Sequence, residues 1–235
     1  MVRLLGRGGM GRVYEAIHVG IGKSVAVKVL AAGGSPVIGD KKRFEREAYA
    51  TGRMEHPNCV VVSDFGALAD GTLFLAMELL RGEALDKLLE RERRLPAARA
   101  LHILRHVLRG LEHAHGRGVV HRDLTTRNIY LVDHLGDRDF AKVLDFGLAK
   151  LIDSQAESGG GKLTAAGVTF GTPRYMSPEQ ILGKPVDHRT DLYAASVILF
   201  EMVAGRLPFV ADDMQQVLMK HVTNPPPRIR EVAPD

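Results

Sequence analysis

Apolar and polar positions follow two different rhythms along the chain. In the first third the runs are short and strand-like, with Val25-Ala26-Val27 leading into Lys28 and a second run from Thr72 to Met77. One stretch breaks that pattern: from Lys41 to Met54, Phe44, Ala48 and Thr51 share one stripe with Glu45, Arg46 and Glu47 around them, which predicts a helix. It stops at His56-Pro57-Asn58. Beyond about residue 80 helices take over. From Pro96 to His115, Leu101, Leu104, Leu108 and Leu111 recur at steps of three and four, on one face of a long helix. Arg189 to Ala204 repeats this with Leu192, Val197, Phe200 and Val203. Between them, Ser154 to Lys162 carries Gly159-Gly160-Gly161 and no periodicity, which predicts a mobile loop. The outline is a small β-rich part with one helix, then a larger helical part, with a cleft between them.

Composition narrows the class. The 235 residues are 45% hydrophobic and 26% charged, enough apolar content for a packed core and against global disorder. The 25 Gly and 11 Pro keep no fixed period, which excludes collagen-like and repeat architectures. A net charge of +4, spread along the chain, argues against nucleic acid as partner. The single cysteine, Cys59, excludes an internal disulfide and a cysteine-based zinc cluster, and reads as a buried thiol. The N-terminus reaches Gly6 before any apolar signal region forms. The longest apolar stretch, Tyr193 to Phe200, is too short for a bilayer, so the expectation is a cytoplasmic chain with no membrane segment.

Three groups of residues carry chemistry. Gly6-x-Gly8-x-x-Gly11-x-Val13 does not fit a dinucleotide-binding turn, since strand-like residues follow it and Ala31-Ala32-Gly33-Gly34 stand where an acidic residue would be needed. A hairpin of two strands joined by glycines fits better, its N–H groups able to approach phosphate oxygens. Lys28, seventeen residues after Gly11, has a carboxylate on the expected first helix, Glu47, to hold it as a phosphate ligand. His121-Arg122-Asp123-Leu124-Thr125-Thr126-Arg127-Asn128 and Asp145-Phe146-Gly147 complete the set. Asp123 can accept a proton from a hydroxyl, and Asn128 and Asp145 offer hard oxygen ligands to Mg²⁺.

In this order and with these separations the chain resembles the protein kinase superfamily. The resemblance runs from residue 5 to about 227, through Leu5 to Val13, Val25 to Lys28, Glu47, His121 to Asn128, Asp145 to Gly147 and Ser177-Pro178-Glu179. Gly171 to Gln180 looks most like the bacterial, eukaryotic-like (Hanks-type) Ser/Thr kinases. The resemblance implies an α+β, two-lobed fold. Residues 1–80 would form a small β-rich N-lobe with one helix, and residues 81–235 a larger, mostly helical C-lobe of the same kinase domain. It also implies ATP with Mg²⁺, or Mn²⁺ in its place, as cofactors, and Ser/Thr hydroxyls of proteins as acceptors, with self-association for trans-autophosphorylation. Leu5, Gly6, Arg7, Gly8, Gly9, Met10, Gly11, Arg12 and Val13 would cover the nucleotide, with Val13 and Ala26 above the adenine and Tyr130 as its floor. Met77 matches the gatekeeper, Glu78 and Leu80 the hinge, and Asp86 a ribose contact. Lys28 paired with Glu47, Asp123 as catalytic base, and Asn128 and Asp145 as metal ligands follow by position. Asp191 resembles the buried aspartate that braces the catalytic loop, and Glu179 the glutamate that anchors the activation segment. Arg122 would receive a phosphate on Thr164 or Thr169, ahead of Ser154 and Ser158.

The pattern departs in places. Thr125 stands where Ser/Thr kinases usually have lysine, and Arg127 where tyrosine kinases place an arginine for the same charge. Arg127 is therefore expected to supply it, and dual or tyrosine specificity stays open. Ser196 stands where the family usually has glycine. A pseudokinase-like binding module is the second reading, and a small-molecule phosphotransferase is disfavoured by the complete segment from Gly171 to Gln180. Met1 falls almost on the glycine loop, and the tail after Asn224-Pro225-Pro226-Pro227 stops before the family's last helices. A C-terminally truncated lobe is expected, with exposed apolar surface, marginal stability and no arginine to pair with Glu179.

Overall fold

The computed structural model describes residues 1–8, 11–30, 52, 54–146 and 173–233. The helix expected over 41–54, the loop expected over 154–162, and Gly9, Met10, Glu47, Gly147, Thr164 and Thr169 fall outside them, apart from Gly52 and Met54. The chain divides into two units, Met1–Arg81 and Gly82–Asp235.

The first unit is an antiparallel sheet of β1 (Arg3–Gly8), β2 (Gly11–Ile17), β3 (Ser24–Leu30), β4 (Val62–Ala67) and β5 (Leu73–Glu78), in the order β1-β2-β3-β5-β4. The two apolar runs read as strands are β3 and β5, side by side, with Ala26 opposite Met77 and Lys28 opposite Leu75. Leu75 and Met77 alternate as the buried positions of β5, while in β3 the consecutive Val25 and Ala26 are both buried, one on each face of a central strand. The glycine motif forms the tip of the β1/β2 hairpin, with Gly8 opposite Gly11. Gly11 has φ +139°, and a Cβ there would lie 2.1 Å from the Val29 carbonyl oxygen, so this position admits glycine alone. Cys59 is fully buried, as its composition class predicts.

The second unit is mostly helical. Its helices are α1 (Leu85–Glu92), α2 (Ala97–His115), α3 (Pro178–Ile181), α4 (Arg189–Ala204), α5 (Met214–Thr223) and α6 (Ile229–Val232). A three-stranded sheet, β6 (Gly82–Ala84), β7 (Ile129–His134) and β8 (Asp137–Val143), lies in the order β6-β7-β8. Helix α2 begins after Pro96, where a missing N–H costs nothing, and packs against β8 and α4. Its leucine stripe and its buried face coincide only at Leu111. Leu101 is 55% and Leu108 38% exposed, while Ala100, Ile103, Val107, Gly110, Leu111 and Ala114 turn inward. Small Ala and Gly side chains let a strand and a helix approach, which decides the orientation against the bulkier leucines. Helix α4 is buried nearly all round, from Thr190 and Asp191 to Phe200 and Met202, the signature of an interior helix. It ends at Gly205 in the left-handed region, φ +69°. Among the described residues no helix is long and apolar enough to cross a membrane.

Candidate active site

The first unit places Lys28 in the middle of β3, only 6% exposed, opposite both Val13 and Leu75. Ala26 and Met77 are buried neighbours across the β3/β5 pair. Leu5, Gly6, Arg7 and Gly8 lie exposed along β1, and Arg12 and Val13 follow Gly11 in β2. A Cβ at Gly6 or Gly8 would meet nothing within 4 Å, so packing among the described residues does not demand glycine there. Glu78 is tied into its own unit. Its N–H donates to the Val61 carbonyl at 3.0 Å, and its Oε1 accepts the Val61 N–H at 2.9 Å. Leu80 follows it, half-buried.

In the second unit the catalytic-loop residues are knitted together by hydrogen bonds. Asp191, 1% exposed on α4, accepts from the His121 and Arg122 N–H groups, each at 2.9 Å, and meets His115 Nε2 at 2.7 Å. The fully buried His121 imidazole links onward. Its Nδ1 accepts the Asp123 N–H at 3.3 Å, so Nε2 carries the proton and donates to the Leu144 carbonyl at 2.7 Å, directly before Asp145. The Asn128 side-chain NH₂ donates to the Asp123 carbonyl at 2.7 Å, and the Asn128 carbonyl accepts the Leu144 N–H at 2.8 Å. Asp123 and Asn128 are thus joined directly, and Asp145 is brought near them through the bonds of its neighbour Leu144. Phe146, fully buried, stacks at a tilt 5.1 Å from the His121 ring.

Two residues there hold left-handed backbone without being glycine, Arg122 at φ +68° and Asp145 at φ +60°. Such conformations cost about 1–3 kcal/mol each and persist where surrounding bonds impose them. Tyr130, on β7, is half-buried and donates its hydroxyl to the Gly82 carbonyl at 2.9 Å.

A cavity of about 500 Å³ adjoins the loop, lined by Asp86, Glu90 and Glu201, by Arg93, Arg127 and Arg174, and by Thr125, Thr126 and Tyr175 among others. Arg127 Nε lies 3.4 Å from Asp86 Oδ2, so both residues belong to this cavity. Tyr175 donates to Glu201 Oε2 at 2.6 Å and meets Thr126 Oγ1 at 3.1 Å. Burial raises the pKa of Glu201 despite the Tyr175 hydrogen bond, and burial also raises that of Tyr175. Gln180, on α3, donates to the Arg122 carbonyl at 2.7 Å, which ties the segment after residue 173 to the loop. Glu179 is half-buried.

The fold, the braced loop and the ordered residues coincide with a sequence match: residues 1–232 match the protein kinase domain family. The chain belongs to the protein kinase family. Among its relatives, this kinase chain is 45% identical over 235 residues to the serine/threonine-protein kinase pkn3 of Myxococcus xanthus, covering 99% of this chain and 42% of that protein. It is 39% identical over 229 residues to serine/threonine-protein kinase PknA of Mycobacterium tuberculosis, covering 96% of this chain and 51% of that one. The kinase therefore spans about half or less of these relatives' length. The crystal structure of the Mycobacterium tuberculosis PknI kinase domain is similar, with a TM-score of 0.75 at 28% identity, covering 99% of this chain and 81% of that one. The kinase is thus of the Hanks-type bacterial class, and the family in general uses ATP, a divalent cation and protein substrates.

The motifs His121 to Asn128 and Gly171 to Gln180 contain Thr126, Tyr175 and Gln180 but assign them no role, and His115 and Glu201 lie in no motif. Each acts through a partner distant along the chain, and no local motif announces such a pair.

Proposed function

We propose that this chain transfers the γ-phosphoryl group of ATP to Ser and Thr hydroxyls of proteins, its own included, in bacterial signalling. What carries the reading is the hydrogen-bonded knit of Asp123, Asn128 and Leu144-Asp145, braced by Asp191. Residues 1–80 act as N-lobe and residues 81–235 as C-lobe of one domain.

The donor set suits a hard cation. With its NH₂ committed to the Asp123 carbonyl, Asn128 keeps its amide oxygen as the ligand end, and Asp145 adds a carboxylate. Mg²⁺ is the ion proposed, with Mn²⁺ as substitute; when bound it offsets the charge of the phosphate oxygens. Leu5 to Val13 cover the nucleotide, and the absent Cβ at Gly6 and Gly8 leaves room for phosphate oxygens near backbone N–H groups. Ala26, Met77, Glu78 and Leu80 are the adenine-contacting residues of the first unit, and Tyr130 is that of the second. Since the Glu78 N–H is engaged with Val61, its carbonyl is the group it offers. Lys28, buried on β3, neutralises the phosphates.

Asp123 orients the attacking hydroxyl and takes its proton as the new O–P bond forms and the bond to the β-phosphate oxygen breaks. Positioning and charge neutralisation supply most of the rate, because the transition state is loose. The cavity of mixed charge beside the loop receives the protein substrate.

Transfer from radiolabelled ATP to a generic basic protein tests this. Asp123→Asn is expected to lower kcat by about 10²-fold or more; a signal that survives it would leave this site without a catalytic role and favour a nucleotide-binding scaffold. Thr125 and Arg127 motivate a second reading, dual or tyrosine specificity, and phosphoamino acid analysis separates it from Ser/Thr transfer. Arg127→Ala is expected to lower kcat by at least about 10-fold if its guanidinium reaches the transferring phosphate, while a near-unchanged rate would confine Arg127 to its pairing with Asp86.

A further inference from the structure

On the face of α2 turned to β8, two histidines one turn apart meet a carboxylate. His102 and His106 stand at i and i+4, so both project from the same side of the helix. Asp137 is the first residue of β8. His102 Nε2 lies 2.8 Å from Asp137 Oδ2, and His106 Nε2 lies 3.8 Å from the same oxygen. One donor atom from each of the three residues falls within 4.8 Å of the others.

A simple His–Asp hydrogen bond accounts for His102. It does not account for His106, whose side chain is 5% exposed and whose Nε2 points at the same oxygen from beyond hydrogen-bond reach. We infer that His102, His106 and Asp137 form a binding site for one divalent transition-metal ion of the zinc class. Two imidazoles and one carboxylate are a donor set that Zn²⁺ takes readily, and nitrogen donors disfavour Mg²⁺ and Ca²⁺. Bonds of about 2.0–2.2 Å in a tetrahedron place donor atoms about 3.3 Å apart. The observed separations lie on either side of that value, so small side-chain rotations admit the ion.

The surroundings orient the ligands. His106 Nδ1 faces the edge of β8, where it accepts the Ala141 N–H at 3.4 Å, and the Asp139 backbone is a further hydrogen-bonding neighbour of the ring. With the metal on Nε2, Nδ1 carries the proton, so it gives up the weak Ala141 N–H bond and turns to the Asp139 carbonyl, the usual outer support of a ligating histidine. Asp137 is held by the Asp139 N–H on Oδ1 at 3.1 Å, which leaves Oδ2 for the ion. His102 and Asp137 are about one-third exposed, which gives the ion a path from solvent. Arg105 opposes binding: its guanidinium donates to His102 Nδ1 at 3.2 Å and must turn to water when that nitrogen takes the proton. The ion would clamp α2, which leads into the catalytic loop, to β8, which leads to Asp145.

The test is titration of Zn²⁺ into the untagged, chelator-stripped chain by calorimetry, with Co²⁺ absorption as the spectroscopic probe and no nucleotide or Mg²⁺ present. The expected result is one ion per chain, a d–d spectrum of low-coordinate Co²⁺, and a Zn²⁺-dependent rise in melting temperature. His102→Ala and Asp137→Asn are each expected to weaken Zn²⁺ by at least about 10-fold, with metal-free melting used to confirm that both fold. Arg105→Ala is expected to tighten it. Asp145→Asn is expected to leave Zn²⁺ affinity and the Co²⁺ spectrum unchanged. The inference is overturned if the wild-type chain takes no Zn²⁺, if His102→Ala and Asp137→Asn bind as wild type, or if binding is lost with Asp145→Asn.

Discussion

The Asp191 carboxylate, buried on α4, holds two backbone N–H groups of the catalytic loop and the His115 imidazole together. Replacing it by alanine would strand the His121 and Arg122 N–H groups away from water, at about 1–3 kcal/mol each. Asp191→Ala is therefore expected to lower the unfolding free energy by at least about 2 kcal/mol and to reduce kcat as well, because Arg122 would lose the bond that keeps it in left-handed backbone. Equilibrium urea denaturation beside steady-state kinetics checks both. An unchanged kcat in a destabilised protein would limit Asp191 to a folding role. Ser196 shows the opposite case. It stands where glycine is usual, yet its hydroxyl simply donates to the Leu192 carbonyl one turn back at 2.8 Å on an exposed face.

At the scale of elements, short helix α3 depends on its cap. Ser177 accepts the Gln180 N–H while the Gln180 side chain accepts the Ser177 N–H, a reciprocal capping box with Pro178 at the first helical position. Thr190, at the start of α4, donates to the same Gln180 oxygen at 2.9 Å, and the Ser177 and Thr190 hydroxyls are themselves hydrogen-bonded. Ser177→Ala is expected to cost about 1–2 kcal/mol and to loosen Gln180 from the Arg122 carbonyl. Thermal denaturation and hydrogen exchange of the α3 amides would detect it, and exchange no faster than wild type would show that Thr190 alone suffices. The strands β3 and β5 were legible from their apolar runs, and the glycine spacing announced the β1/β2 hairpin, since both are local patterns. The buried face of α2 was not. Four leucines at helical spacing compete with an Ala/Gly-containing face, and only close packing against β8 and α4 selects between them.

For the molecule as a whole, buried histidines set the response to acid. His221 on α5 is 4% exposed, accepts the Tyr193 hydroxyl through Nδ1 at 2.7 Å, and packs edge-on to Phe209 at 4.8 Å. Burial also pushes the Tyr193 hydroxyl up to about 12, so it remains the donor at neutral pH. For His221, burial lowers the pKa from 6.5 against the opposing pull of the Arg174 carbonyl. A lowered folded-state value means the unfolded chain takes the proton first as pH falls. Stability is then fully present above about pH 6.5 and is lost as pH drops through and below it. His106 and His113 are shifted in the same direction by burial. Urea midpoints at about pH 7.5 and about pH 5.5 should show that loss, and His221→Gln should reduce it without abolishing it. A slope identical to wild type in the variant would remove His221 from the account.

The chain alone makes the candidate chemistry and its order legible. Lys28, Asp123, Asn128 and Asp145 sit in short motifs of fixed spacing, because each motif is a single turn or a single strand. It also determined most elements, since periods of two and 3.6 are local. Tertiary structure decided the support. His115 and Asp191 lie 76 residues apart, Tyr175 and Glu201 lie 26 apart, and His102 and Asp137 lie 35 apart. Such pairs leave no periodic trace in the chain, because their contact depends on how helices and strands stack rather than on how each one forms.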